Sequence, residues 1–258
     1  MSHFLDKIRP HVLKRVEHMK VVKEAVVNTM DFCTIFHNQT TPAIISEIKF
    51  ASPALGPIYP GDLNPVQIAK EYQAHGASAL SVLTEPTFFK GNINYIEDIR
   101  HALPTIPILL KDFVLAPIQI QQACVSGANA VLLIVGFLEQ SLLCDLYAYA
   151  VSLGLTPLVE VHDAEELERA LMLDPKVIGV NNRNLQTLAI DLETSRRLIQ
   201  QIPSNVYAVC ESGIRDLFEI EAMNALGFDG FLIGSHMMQT SHPGEALGEL
   251  LNGMQHAR

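Results

Sequence analysis

The chain has 258 residues, 48% hydrophobic and 18% charged, enough to bury the core of one domain of α/β barrel size or of two small domains. Eighteen basic against 28 acidic side chains leave a net charge of −10, which argues against nucleic acid and anionic membrane as partners. The four cysteines, Cys33, Cys124, Cys144 and Cys210, lie far apart with no Cys-x-x-Cys spacing, so neither a disulfide framework nor a metal cluster is expected. Residues Met1 to Lys7 lack the apolar core of a signal peptide and no membrane segment is expected, which reads as a cytoplasmic protein.

Phe4, Leu5, Ile8, Val12, Val16, Met19, Val22 and Val26 recur mostly three and four residues apart, predicting an amphipathic helix over Phe4 to Asn28. Thr29 to Pro42 has no period and reads as a polar lead into the first strand. From Ala43 onward, short β-rich apolar runs alternate with amphipathic stretches, the pattern of repeated βα units around a parallel sheet. The expected strands are Ala43 to Lys49, Ala79 to Leu83, Ile108 to Lys111, Ala130 to Ile134, Pro157 to Val161, Val177 to Asn181, Val206 to Glu211 and Gly230 to Ile233. Helices are expected near 65–75, 93–103, 117–126, 139–153, 164–173, 192–201, 215–225 and 243–252. Asn64-Pro65 offers a cap with proline at the first helical position, and Gly76, Gly127, Gly154 and Gly227 fall where helices should end. Eight units fit a (β/α)8 TIM barrel over 43–258 better than an open sheet, within a single domain whose residues 1–42 form a helical extension.

In such a barrel the active site lies where the strands end, and unusual residues collect there. The first strand carries Glu47 and Lys49 on one face by alternation, and the others end in Thr84-Glu85, Lys111-Asp112, Glu160, Asn181-Asn182-Arg183, Glu211-Ser212-Gly213 and Gly234-Ser235. The small residues after strands seven and eight, with a short helix expected at Ser235 to Gln239, suit a phosphate, for which Lys49 is near enough to supply countercharge. Lys49 and Lys111 beside Glu47, Glu160 and Glu211 suit proton transfer near neutral pH. A closed ion-pair network supporting the rim is the alternative for one or two of these five, Glu211 first among them. His75, His101 and His162 occur singly and read as surface or capping residues rather than ligands, and Cys210 as a small core residue. Phe88, Phe89 and Phe113 are either rim packing or walls for a flat aromatic ligand.

These motifs together resemble the indole-3-glycerol phosphate synthase family. The resemblance covers Ala43 to about Leu251 and rests on Ser46-Glu47-Ile48-Lys49-Phe50-Ala51-Ser52-Pro53, Leu83-Thr84-Glu85 with Phe89-Lys90-Gly91, Leu110-Lys111-Asp112-Phe113 and Leu158-Val159-Glu160-Val161. It continues through Gly179 to Leu185, Glu211-Ser212-Gly213-Ile214 and Phe231-Leu232-Ile233-Gly234-Ser235, all in order. It implies that 1-(2-carboxyphenylamino)-1-deoxyribulose 5-phosphate closes its ring, loses carbon dioxide and water, and becomes indole-3-glycerol phosphate, with no cofactor or metal.

By the same resemblance Lys111 is the general acid of ring closure and Glu160 the base of the later dehydration. Lys49 contacts the phosphate or carboxylate and acts as an acid in dehydration, the division of labour between the two lysines being left open. Glu47 and Asn181 hold the substrate hydroxyls, with Glu211 and Ser212 supporting them. Arg183 suits the departing carboxylate, Ser52, Gly213, Gly234 and Ser235 the phosphate, and Phe89, Phe113, Leu132 and Leu185 the aromatic ring. Many members carry a basic residue where Phe50 stands and a lysine where Leu55 stands, and acidic residues in place of Ala116 and Ala189. The implied partner is a small phosphorylated aromatic substrate, for a monomer or weak oligomer with a pathway-enzyme partner left open. Two other readings stay open: a lysine Schiff-base lyase or aldolase on a phosphosugar, and a non-catalytic barrel that binds a phosphorylated ligand.

Overall fold

The computed structural model describes residues 4–20, 30–37, 41–62 and 64–256. Eight parallel strands close into a barrel: β1 (Ala43–Ile48), β2 (Ala79–Leu83), β3 (Ile108–Lys111), β4 (Ala130–Ile134), β5 (Thr156–Val161), β6 (Val177–Asn181), β7 (Tyr207–Glu211) and β8 (Gly230–Ile233). β1 closes the ring by pairing with β8 through Ala43 opposite Gly230 and with β2 through Ile45 opposite Ala79. Each strand is covered inside by the barrel core and outside by helices, so β1, β2, β4, β5, β6 and β8 are buried along their whole length. Every expected strand is present to within one residue at either end.

The outer ring consists of α2 (Pro65–Ala74), α3 (Asn94–Ala102), α4 (Pro117–Ser126), α5 (Gln140–Ser152), α6 (Ala164–Leu171), α7 (Glu193–Leu198), α8 (Leu217–Asn224) and α10 (Pro243–His256), with the short α9 (Ser235–Met238) after β8. Asn64 caps α2 by accepting from the Gln67 amide, with Pro65 behind it, and Asp163 caps α6 by accepting from the Glu166 amide. Gly127 ends α4 in the left-handed region at φ 94°, where a Cβ would be strained. Residues 113–138 carry no charged side chain, a run long enough to span a bilayer. Pro117 starts and Gly127 ends a ten-residue helix within it, and the remainder becomes β4 in the barrel wall. Among the described residues no helix is long and apolar enough to cross a membrane.

The extension holds the barrel at both ends. α1 spans Phe4–Glu17, shorter than its periodicity predicts, and Val22 and Val26 lie outside the described residues. At the mouth, Phe4 packs against Phe88, Phe89 and Phe113 with ring centroids 5.5, 6.4 and 5.9 Å away. Arg9 donates to the Phe137 carbonyl at 2.6 Å, and Arg15 pairs with Asp112 at 2.6 Å, one residue beyond Lys111. The polar lead expected after it is corrected: Phe32–Phe36 form a 3-10 turn whose Phe32, Cys33, Ile35 and Phe36 are buried. Phe36 stacks on Tyr207 at 4.7 Å and lies against Gly230, the first residues of β7 and β8, so this turn closes the floor. Five residues with four apolar side chains are too short to display a helical period, which is why the pattern did not reveal them.

Candidate active site

The C-terminal ends of the strands surround a cavity of about 680 Å³. Strand register brings the charged residues together there: Ile134 lies opposite Glu160, Asn181 opposite Glu211, and Leu83 opposite Lys111. Lys111 reaches across from β3 to donate to Glu160 Oε2 at 3.0 Å and to Glu211 Oε2. Lys49, just past β1, donates to Glu47 Oε1. All five line the cavity, and the carboxylates of Glu160 and Glu211 are almost wholly buried. Gly179 on β6 leaves the space that the Glu211 carboxylate occupies, since a Cβ there would overlap Glu211 Oε1 and meet Leu158.

Electrostatics divide the cluster. Burial alone would make Lys111 shed its proton, but the charges of Glu211, Glu160 and Glu47 outweigh it and hold the ammonium above the ordinary lysine range. Burial would likewise raise Glu160, yet Lys111 and His162 hold it ionised well below the usual carboxylate range. Glu211 goes the other way: burial, joined by the neighbouring Glu160 charge, outweighs the attraction of Lys111 and raises it. Its Oε1 is buried with no hydrogen-bond partner among the described residues. Two carboxylates sharing one ammonium thus differ in proton affinity, Glu160 the fixed anion and Glu211 the one nearer titration.

The other residues expected in the site line the same cavity: Ser52, Phe89, Phe113, Leu132, Asn181, Arg183, Leu185, Ser212, Gly213, Gly234 and Ser235. Phe4, Phe89 and Phe113 wall one side, while Phe88 packs on Phe4 and His11 instead. Glu85 shapes the wall by accepting from the amides of Thr87, Phe88 and Phe89. On the other side Ser212 and Gly213 adopt left-handed conformations in succession, φ 62° and 93°. Ser212 is pinned there because Asn182 Nδ2 donates to its carbonyl at 3.0 Å. Arg183 donates to the Leu188 carbonyl at 2.9 Å, and burial lowers its proton affinity against the pull of Glu47.

A protein-family model described as indole-3-glycerol phosphate synthase matches residues 5–250. The chain is 47% identical to an indole-3-glycerol phosphate synthase of Acidithiobacillus ferrooxidans over 82% of its length and 80% of that protein. It is 42% identical to one from Albidiferax ferrireducens over 92% and 90%. The chain belongs to this family. The crystal structure of KGPDC from Streptococcus mutans shares the barrel, with a TM-score of 0.64 over 84% of this chain and 99% of that one, but at 9% identity the likeness is one of fold.

Within the synthase family, this chain's departures have structural accounts. Phe50 is buried between Tyr59 and Tyr95, ring centroids 6.1 and 5.8 Å away, so the first loop is held by aromatic packing. Leu55 sits at the tip of the hairpin Ala51–Ser52/Gly56–Pro57, half exposed over the cavity. Ala116 and Ala189 do not line it.

Two residues of the synthase site escaped the sequence reading. Asn182 was only the neighbour of Asn181, yet it is buried and braces β6 to β7 by donating to the carbonyls of Glu211 and Ser212 and accepting from the Ser195 amide. His162, read as a surface or capping residue, is largely buried behind Glu160. Its signal was the spacing Glu160-x-His162, which puts both on one face of the strand end. Cys210 is a core residue as expected, its thiol pushed up to about 11 mainly by burial.

Proposed function

We propose that the cavity converts 1-(2-carboxyphenylamino)-1-deoxyribulose 5-phosphate to indole-3-glycerol phosphate, carbon dioxide and water. The observation that carries this reading is one buried ammonium shared by two carboxylates, at the base of a cavity with an aromatic wall on one side and small-residue loops on the other. The substrate's ring lies against Phe89 and Phe113, bordered by Leu132 and Leu185. Its phosphate lies at Gly213, Gly234 and Ser235, with Ser52 above. Arg183 offers a planar fork for the carboxylate that departs.

Ring closure turns a carbonyl oxygen into an alkoxide, and Lys111 delivers the proton. Clamped between carboxylates, the ammonium holds that proton tighter than a free lysine, so it is no acid toward water or the resting carbonyl. Only the developing alkoxide is basic enough to take it, which confines the transfer to the transition state. The iminium formed on cyclisation then receives the electrons released as carbon dioxide leaves. In dehydration Glu160 accepts the ring proton while Lys49 protonates the departing hydroxyl, and Glu47 and Asn181 hold the hydroxyls in line. Glu211 and Ser212 support the arrangement around Lys111. The reaction belongs to the cytoplasm in this reading, in a monomer or weak oligomer.

A Schiff-base reaction is disfavoured by the same charges, since it needs Lys111 as a free amine and its neighbours keep it ionised. The test is indole fluorescence on adding the carboxyphenylamino substrate to the wild-type protein and to Lys111→Ala. Product from the first and nearly none from the second is expected. A wild type that leaves the substrate untouched sinks the reading.

A further inference from the structure

Glu160 has a second cation, on the side away from Lys111. His162 follows the last residue of β5, two residues on, its Nε2 3.3 Å from Glu160 Oε1, while Lys111 holds Oε2. The imidazole is itself fixed from behind. Glu166, in the first turn of α6, accepts through Oε2 from both the backbone N–H and Nδ1 of His162, each at 2.9 Å. Glu166 is set in turn by Asp163, which accepts from its amide, and by Gly136, where a Cβ would overlap Glu166 Oε1. Only Nδ1 is hydrogen-bonded; Nε2 is buried and faces Glu160 Oε1 as a charge contact, so the imidazole lies between two carboxylates that both favour its cationic form. Burial works against that charge, but the adjoining carboxylates of Glu160 and Glu166 outweigh it and push His162 up to about 10.

We propose that His162 is a positioning residue for proton removal: as an imidazolium braced by Glu166 it fixes the carboxylate of Glu160 from the side opposite Lys111. The Glu160 carboxylate then cannot rotate about its last bond to pair both oxygens with Lys111, and one face stays turned to the cavity. The charged groups that meet here are Glu160 on β5, Glu166 and Asp163 at the start of α6, and, through Glu160, Lys111 on β3 and Glu211 on β7. The turn Val135–Phe137 after β4 presents Gly136, with no charge of its own. The inference rests on the reading of Glu160 as the base.

The experiment compares wild type, Glu160→Gln, His162→Ala, His162→Gln and Glu166→Gln by indole formation from pH 3.5 to 9.5, with thermal melts of each. Misplacing a catalytic group by a fraction of an ångström predicts a roughly 10- to 100-fold loss of kcat in His162→Ala with KM little changed. Removing the cation also loosens the grip on the ionised carboxylate, so the acidic limb of kcat/KM should move to higher pH. Glu166→Gln should shift it less in the same direction, and His162→Gln, which keeps a polar side chain beside Glu160 but no charge, should recover part of kcat but not the limb. If Glu160→Gln is inactive while the His162 variants keep the wild-type kcat and limb, the inference fails and the reading of Glu160 stands. Variants that melt earlier and lose kcat with the limb unmoved would show a structural role only, which also overturns it. Turnover surviving in Glu160→Gln would overturn the base assignment, and this inference with it.

Discussion

At the scale of single residues, the site works by giving chemically identical groups unlike surroundings. Lys111→Ala should lower kcat about 10²- to 10⁴-fold, the range for losing a positioned proton donor, as read by product fluorescence under saturating substrate. Glu211 and Glu160 make opposite contributions to stability with pH. Glu160 is depressed, so its contribution is present above the ordinary carboxylate value of 4.5 and is lost as pH falls through its folded value. Glu211 is raised, so the folded state is favoured while it keeps its proton and loses that advantage as pH rises from 4.5 through its folded value, about 7. Glu211→Gln cannot ionise, and its stability relative to wild type should climb by about 1 to 3 kcal/mol between pH 5 and pH 8. Urea unfolding at each pH checks this, and a difference that stays flat or falls contradicts the assignment.

At the scale of elements, strands and loops divide the work of support. Gly179→Ala places a methyl group where Glu211 now lies, so the carboxylate must leave Lys111 or β6 must move. Overpacking of this kind costs about 1 to 3 kcal/mol, and activity should fall with it. A variant as active and stable as wild type would mean that Glu211 is free to settle elsewhere. Removing residues 1–20 takes away α1, with Phe4 from the aromatic wall and Arg15 from Asp112, but leaves the floor turn in place. KM should rise by roughly tenfold, equivalent to about 1.4 kcal/mol of lost binding, with the barrel still folded by circular dichroism. An unchanged KM would separate α1 from substrate binding. The elements readable from sequence alone were those with regular punctuation. β3 and β7 are apolar runs that stop at Lys111 and Glu211, and Asn64-Pro65 marks the start of α2. What failed was the floor turn, which has no period, and the end of α1, where Val16 and Met19 continue the helical spacing up to and past Glu17.

At the scale of the whole molecule, the cavity residues were readable because convergence on one rim is a property of the barrel, and eight units announce the barrel. The pairings were not. Which carboxylate meets Lys111 depends on side chains crossing between strands far apart in the chain, and no local spacing records that. The floor makes a separate demand. A protein starting at Ala43 loses Phe32, Cys33, Ile35 and Phe36, all buried, and exposes the barrel's underside. It should lose several kcal/mol, at about 1.5 to 3 kcal/mol for each large apolar side chain removed. Its urea midpoint should fall far below that of the chain lacking only residues 1–20. Equal midpoints would mean the floor contributes nothing.

Phe36 rests on Tyr207 and Gly230, strands that leave the ribosome long after it does. Chains emerge amino end first, so residues 32–36 are made before the surfaces they cover exist. Through most of translation their phenylalanines have no native place to go. The floor turn is therefore made well before it can dock, and a nascent chain stalled before β7 exposes an apolar underside, a form suited to chaperone capture.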